Sequence, residues 1–230
     1  MTEDTLKRQA AEAAVALVES GMVVGIGTGS TAAYAIEGLS RRVREERLDI
    51  IAIPTSDRSE VLARQGGIRM TDFATHRRID LTIDGADEIA QGSLDLIKGL
   101  GGALLREKIV AAASARLVII ADERKLVPQL GGTSPVPVEV VSFGWQTTSD
   151  RIAALGGNPA LRRDRSGEPF RTDGGNLILD CSFGIMADAA AIERALSATI
   201  GVIEAGLFIA MARTALVATD AGVQRLDRLE

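Results

Sequence analysis

With 230 residues, 46% of them hydrophobic and 25% charged, the chain can bury a full core and reads as a soluble globular protein. A net charge of −5 argues against the basic face of a nucleic-acid binder, so an acidic ligand needs a local positive pocket. The single Cys181 excludes a disulfide framework and a cysteine-rich zinc site, and Glu3 and Asp4 stand where a signal peptide carries positive charge.

Leu6, Ala10, Ala13, Ala14 and Leu17 recur at helical spacing and predict an amphipathic helix over 3–19. A buried strand over 22–26 follows, then the turn Gly27-Thr28-Gly29-Ser30-Thr31 and a helix over 32–46 with Ser30 or Thr31 as its N-cap. The longest uncharged stretch, residues 20–36, is broken by four glycines and is no membrane span. A strand over 49–53 stops at Pro54, and a helix over 56–65 and a short strand over 68–70 come next. A strand over 79–83, a helix over 103–114 and a strand over 117–121 continue the alternation. This order predicts an α/β fold, a Rossmann-like, mostly parallel sheet flanked by helices.

The pattern changes after Leu126, where Pro128, Gly131, Gly132, Pro135 and Pro137 punctuate the chain. Strand (136–141), helix (148–155) and strand (160–163) are followed by strand (176–181), helix (188–196) and strand (202–207). Strand–helix–strand repeated twice predicts a smaller ferredoxin-like α+β domain. A strand over 214–218 returns to the first sheet. The expected organisation is therefore a catalytic α/β domain of residues 1–127 and 208–230, with residues 128–207 inserted as the α+β domain.

Three blocks carry chemistry. Gly27-Thr28-Gly29-Ser30-Thr31-Ala32 matches the dinucleotide pattern G-x-G-x-x-A, but no acidic residue closes the second strand, where Ile53 runs into Pro54-Thr55-Ser56. No Walker lysine follows Gly29 either. What remains is a phosphate cradle of helix N-terminal amides and the Ser30 and Thr31 hydroxyls, or an ordinary tight turn.

The second block, Asp84-Gly85-Ala86-Asp87-Glu88, follows a strand and sets two carboxylates three residues apart. Those carboxylates suit sugar hydroxyls, ring opening or a magnesium ion, and Asp-Gly is also plain turn chemistry. Glu88 reads as a surface or helix-start residue. The third block, Lys98 to Lys108, is a glycine loop running into a helix. Gly99, Gly101 and Gly102 admit a ligand close to the backbone, and Lys98 offers a point charge for a phosphate or an enolate oxygen. Glu107, with Leu104, Leu105 and Ile109 as apolar neighbours, is either a general base with a raised pKa or a carboxylate complementing the helix dipole. The only histidine, His76, lies in a polar segment far from every glycine loop and reads as a surface residue, which leaves no Ser-His-Asp hydrolase.

In these blocks the chain resembles the type A ribose-5-phosphate isomerases, along nearly its whole length. Ala121-Asp122-Glu123-Arg124-Lys125, Pro135-Val136-Pro137-Val138-Glu139-Val140 and Asn176-Leu177-Ile178-Leu179-Asp180 extend the likeness in family order. The resemblance implies interconversion of ribose 5-phosphate and ribulose 5-phosphate in the pentose phosphate pathway, with no metal and no organic cofactor. It implies Glu107 as the base, with Asp84, Asp87 and Lys98 as further catalytic groups. The positions matching ligand contacts are Lys7, Thr28, Gly29, Ser30, Thr31, Asp84, Gly85, Ala86, Asp87, Lys98, Gly99, Leu100, Gly101 and Lys125. Leu100 stands where the loop often has glycine, and is expected to leave the loop amides available. The implied partners are the two sugar phosphates alone, with no nucleic acid and no membrane, in a cytoplasmic homodimer or homotetramer associating through the α+β domain.

Two rival readings use the same residues. A non-catalytic sugar-phosphate sensor needs the cradle but not a carbon-acid base, so Glu107 and Lys98 together count against it. A sugar-phosphate deaminase is disfavoured because no motif contains a histidine, and a CoA transferase because a glutamate in a lysine-flanked helix is a poor nucleophile toward a thioester.

Overall fold

The computed structural model of the chain describes residues 1–228. In chain order the elements are α1 (Glu3–Val15), β1 (Val23–Ile26), α2 (Ser30–Glu45), β2 (Ile51–Pro54), α3 (Asp57–Gln65), β3 (Arg69–Met70), β4 (Leu81–Asp84), β5 (Glu88–Ala90), β6 (Leu96–Ile97), α4 (Leu104–Ala112), β7 (Leu117–Asp122) and β8 (Leu126–Val127). There follow β9 (Val136–Val140), α5 (Trp145–Ala154), β10 (Asn158–Leu161), β11 (Leu177–Ser182), α6 (Ala189–Ser197), β12 (Val202–Ala205), β13 (Leu207–Phe208), β14 (Thr214–Thr219) and β15 (Gly222–Asp227).

Seven strands form a sheet in the order β15-β14-β7-β4-β1-β2-β3, parallel throughout except for the β14–β15 hairpin. The apolar strands β1, β4 and β7 are buried, as a sheet covered by helices on its faces requires. Leu6, Ala10, Ala11 and Ala14 bury one face of α1 against this core. That helix stops at Val15, short of the predicted Glu19, because Arg42 of α2 donates to the Val15 and Val18 carbonyls at 2.7 and 2.9 Å and satisfies the helix end. Strand order reverses beside β1, with β2 on one side and β4 on the other. Ligand crevices lie at such a switch point, outside the carboxyl ends of the strands.

The second sheet, β10-β11-β9-β12, is antiparallel and belongs to a strand–helix–strand, strand–helix–strand run with α5 and α6. This is the ferredoxin-like arrangement expected for the smaller unit. Its first helix begins at Trp145, three residues before the expected start, and β10 lies two residues earlier than its expected span.

A third sheet, β13-β6-β5-β8, was not foreseen, since strands of two or three residues leave no readable periodicity. It splits the single strand expected over 202–207. At the break, Gly206 donates to the Pro137 carbonyl at 2.7 Å and accepts from the Lys98 amide at 2.9 Å. It also corrects the reading of Glu88, which is fully buried at the start of β5 rather than on the surface. Its carboxylate accepts from the Gly131, Thr133 and Ser134 amides and from the Thr133 hydroxyl. Strand β4 starts at Leu81, two residues later than expected, with Ile79 making only an isolated bridge to Ser114.

Candidate active site

The turn after β1 is shaped by what it must approach. A Cβ on Gly27 would stand 2.0 Å from Asp84 Oδ1, so only glycine lets the turn meet the end of β4. The N-cap of α2 is Gly29, not Ser30 or Thr31, and no side chain caps the helix. The chain enters the helix with Gly29 at φ 108°, which makes Ser30 the first helical residue and frees its hydroxyl to accept from Lys7 Nζ at 2.9 Å. No side chain caps the amides of this first turn and the turn itself carries no acidic residue, an arrangement able to accept an anion. Thr28 supports the turn from behind. Its amide donates to Asp84 and its hydroxyl joins those of Thr55, Ser56 and Ser59.

At the end of β4, Asp84 is 1% exposed and Lys98 only 3%. Lys98 Nζ lies 3.0 Å from Asp84 Oδ2, 2.6 Å from the Gly85 carbonyl and 3.6 Å from Glu107 Oε1. Burial works against its charge, yet Asp84 and Glu107 hold Lys98 well above the usual lysine range. Lys98 is thus a buried ammonium bridging two carboxylates, rather than a free charge for a phosphate.

The two carboxylates differ in their partners. Asp84 accepts from the Thr28 and Gly85 amides as well as from Lys98. Burial pushes its carboxyl upward against those donors. Glu107 is 4% exposed, and its Oε2 is buried with no hydrogen-bond partner among the described residues. Burial first, then the charges of Asp84 and Asp87, push Glu107 up to about 8 against the pull of Lys98. A buried carboxylate with one oxygen unengaged is equipped to take a proton from a ligand. Of its expected apolar neighbours, Leu104 is buried, whereas Ile109 is 48% exposed and lines a separate groove.

The glycine loop is less open than expected. The Leu100 amide donates to Asp87 Oδ2 at 2.9 Å, so it is not available to a ligand, and Leu100 itself is exposed. The Gly102 amide closes back on the Gly99 carbonyl.

These parts surround a cavity of about 130 Å³. Gly29, Ser30 and Thr31 of the α2 start, with Lys7 bonded to Ser30, line it, as do Lys125 and the Gly85, Ala86 and Asp87 loop after β4. Lys98, Gly99, Gly101 and Glu107 complete the wall, with Thr28 beneath. Asp84 stands behind the wall, bonded to the lining residues Lys98, Thr28 and Gly85, and Leu100 does not line the cavity. Glu3, which is not among the expected site residues, does line it and pairs with Lys7 and with Arg124. Its spacing from Lys7, four residues along one helix, was the available signal. A larger groove of about 530 Å³ runs past Phe73 and Ile109, and no expected site residue borders it. His76 is half-buried rather than exposed and pairs with the Thr71 hydroxyl, away from the cavity. Among the described residues no group of three or more His, Cys, Asp or Glu side chains is arranged to hold a metal ion.

An anion cradle beside a buried proton acceptor is what an enzyme acting on a phosphorylated sugar requires. Residues 51–222 match the family model described as ribose 5-phosphate isomerase A (phosphoriboisomerase A). The chain is 56% identical to the ribose-5-phosphate isomerase A of Gluconobacter oxydans, over 96% of each chain. It is 53% identical to that of a Synechococcus species, over 97% of each. A solved ribose 5-phosphate isomerase A from Methanocaldococcus jannaschii superposes with a TM-score of 0.95 at 39% identity, covering 99% of this chain and 100% of that one. A D-ribose-5-phosphate isomerase solved in complex with phospho-erythronic acid superposes equally well, at 35% identity and with the same coverage. The chain belongs to the ribose 5-phosphate isomerase A family, and it is an isomerase.

Proposed function

We propose that this cavity is where the chain interconverts ribose 5-phosphate and ribulose 5-phosphate, with Glu107 moving the proton between C2 and C1 through a cis-enediolate. The observation that carries the reading is the unengaged, buried Oε2 of Glu107 beside a charged Lys98. The phosphate sits at the N-terminus of α2 among Ser30, Thr31, Lys7 and Lys125. Asp87 lines the cavity while Asp84 is held by three donors, so Asp87 is the carboxylate that assists ring opening. Lys98 and the Gly101 amide face the oxygen that turns negative as the proton leaves C2. The direct test is conversion of ribose 5-phosphate to ribulose 5-phosphate by the purified protein in EDTA. Turnover should persist without added metal; turnover that appears only with a divalent cation would recast Asp84 and Asp87 as ligands.

The raised pKa of Glu107 sets the pH dependence. The base works only when ionised, so kcat/KM should rise with pH and level off above about 8. Ionisation of the substrate phosphate, near pH 6, is a separate and lower limb. An enzyme limb at ordinary carboxylate pH, with none near 8, would contradict a buried base.

Phosphate contacts persist from ground state to transition state, so Lys125→Ala should raise KM by about tenfold or more and leave kcat nearly unchanged. A fall in kcat at constant KM would move Lys125 to the reacting carbons.

The same proposal includes the organisation of the chain. Residues 1–127 and 208–230 form the catalytic unit, its last two residues, Leu229 and Glu230, lying outside the described residues, and 128–207 form the inserted one. Phe143 and Ile200 of the inserted unit are 94% and 77% exposed, which supports association through it as a homodimer or homotetramer. The buried, unpaired Cys181 supports a reducing, cytoplasmic setting. No helix among the described residues is long and apolar enough to cross a membrane.

A further inference from the structure

The geometry points to Arg162, in the inserted unit, as a positioning residue that aims the oxyanion-binding amide of the Lys98–Gly102 loop. This rests on the reading of that loop given above.

Arg162 follows β10, more than sixty residues along the chain from the loop, and its side chain is 12% exposed. One edge of its guanidinium forks onto Asp180 of β11, Nε at 2.9 Å from Oδ2 and Nη2 against Oδ1. That fork fixes the plane of the group. The remaining nitrogen, Nη1, donates to two successive carbonyls of the loop, Gly99 at 3.0 Å and Leu100 at 3.1 Å. Phe170 supports the same arrangement. Its ring lies 5.8 Å from the guanidinium carbon, and it sits so close under Gly102 that a Cβ there would come within 2.5 Å.

A trans peptide is planar, and its C=O and N–H point in opposite directions. Holding the Gly99 carbonyl therefore turns the Leu100 N–H the other way, onto Asp87 Oδ2. Holding the Leu100 carbonyl turns the Gly101 N–H away from Arg162, and Gly101 lines the cavity. The Gly99 carbonyl accepts from the Gly102 amide, at 3.0 Å, as well as from Arg162, whereas Arg162 is the one donor to the Leu100 carbonyl among the described residues. The 99–100 peptide keeps Asp87 in place, and the 100–101 peptide presents a donor to the substrate oxygen. Neither peptide belongs to a helix or strand, and the turn bond from Gly102 to the Gly99 carbonyl holds only the first of them, so the 100–101 plane is the one that depends on Arg162. Without Arg162 the loop has no partner in the inserted unit for either carbonyl, and the 100–101 peptide is free to rotate.

The role separates from simple stability because it acts on one donor. Arg162→Ala should lower kcat by about 10- to 100-fold, short of the 10²–10³ for outright loss of an oxyanion donor. KM for ribose 5-phosphate, and competitive inhibition by inorganic phosphate, should stay within about threefold. Phospho-erythronic acid, whose carboxylate resembles the enediolate end, should lose affinity in step with kcat. Arg162→Lys, which keeps the charge and can reach one carbonyl, should fall between Arg162→Ala and wild type. Asp180→Asn, which loosens the fork but leaves Arg162 present, should show a smaller loss of the same kind and covers the case of an Arg162→Ala protein that does not fold. A wild-type protein that neither turns over ribose 5-phosphate nor binds phospho-erythronic acid would overturn the site reading itself. An active wild type with kcat unchanged in all three variants would overturn only the role of Arg162. Equal losses of inorganic phosphate and phospho-erythronic acid affinity would also overturn it, since that marks a general disturbance of the cavity.

Discussion

Glu107→Gln should lower kcat by about 10²–10⁴-fold, the usual worth of a positioned general base, while the fold and phosphate binding persist. Gln keeps the size of the side chain and can still accept from Lys98 Nζ, but it cannot hold the proton taken from C2. Phosphate binding is spared because the cradle lies on α2, a separate element from α4. Burial and the neighbouring Asp84 and Asp87 already make ionised Glu107 costly in the free protein. Its folded pKa lies above its unfolded value, so its contribution to stability is present at low pH and is lost as pH rises toward 8. The Glu107→Gln protein should therefore melt at a higher temperature than wild type at pH 9, with a smaller difference at pH 5. A variant that keeps more than about a tenth of wild-type kcat would move the base to Asp84 or Asp87.

Lys98→Met should abolish activity and weaken the fold together. The substitution keeps the length of the stem but leaves Asp84 and Glu107 buried without their shared cation. Removing one partner from a buried ion pair typically costs about 3–5 kcal/mol. The cost depends on pH in a defined direction. Without Lys98 both carboxyls are pushed further above their unfolded values, so stability is retained at low pH, where they are protonated, and lost as pH rises. Thermal melts should show the gap to wild type widening from pH 5 to pH 9. An equal gap at both values, or kcat within tenfold of wild type, would mean that Lys98 does not hold the two carboxylates.

How much of this was legible in the chain follows from how local each feature is. The phosphate turn, the strand-end Asp84 and the base candidate Glu107 sit in short blocks whose glycines and charges are readable in a row. The parallel sheet and the ferredoxin-like unit were legible from alternating apolar runs and helical spacing. The third sheet was not, because its strands of two or three residues are defined by pairing and not by pattern. Glu88 looked like a surface residue because its four donors come from residues 131–134, which only the fold brings near. Leu100 was expected to leave its amide free, and the bond to Asp87 is invisible without the loop's path. Sequence alone places the N-cap of α2 one or two residues late because Ser and Thr are the better cap formers, whereas here the Ser30 hydroxyl accepts from Lys7 and Thr31 lines the cavity. Arg162 carried no signal at all, since both carbonyls it holds belong to another unit of the chain.

The central claim, that Glu107 makes and quenches the enediolate, is tested most directly with ribose 5-phosphate deuterated at C2 and followed by NMR. Wild-type protein should move the label off C2, to C1 or to water, as ribulose 5-phosphate forms. Glu107→Gln protein, shown to be folded and to bind phospho-erythronic acid, should leave the label on C2 over the same period. Loss of the C2 label from the variant at a tenth of the wild-type rate or faster would contradict the account.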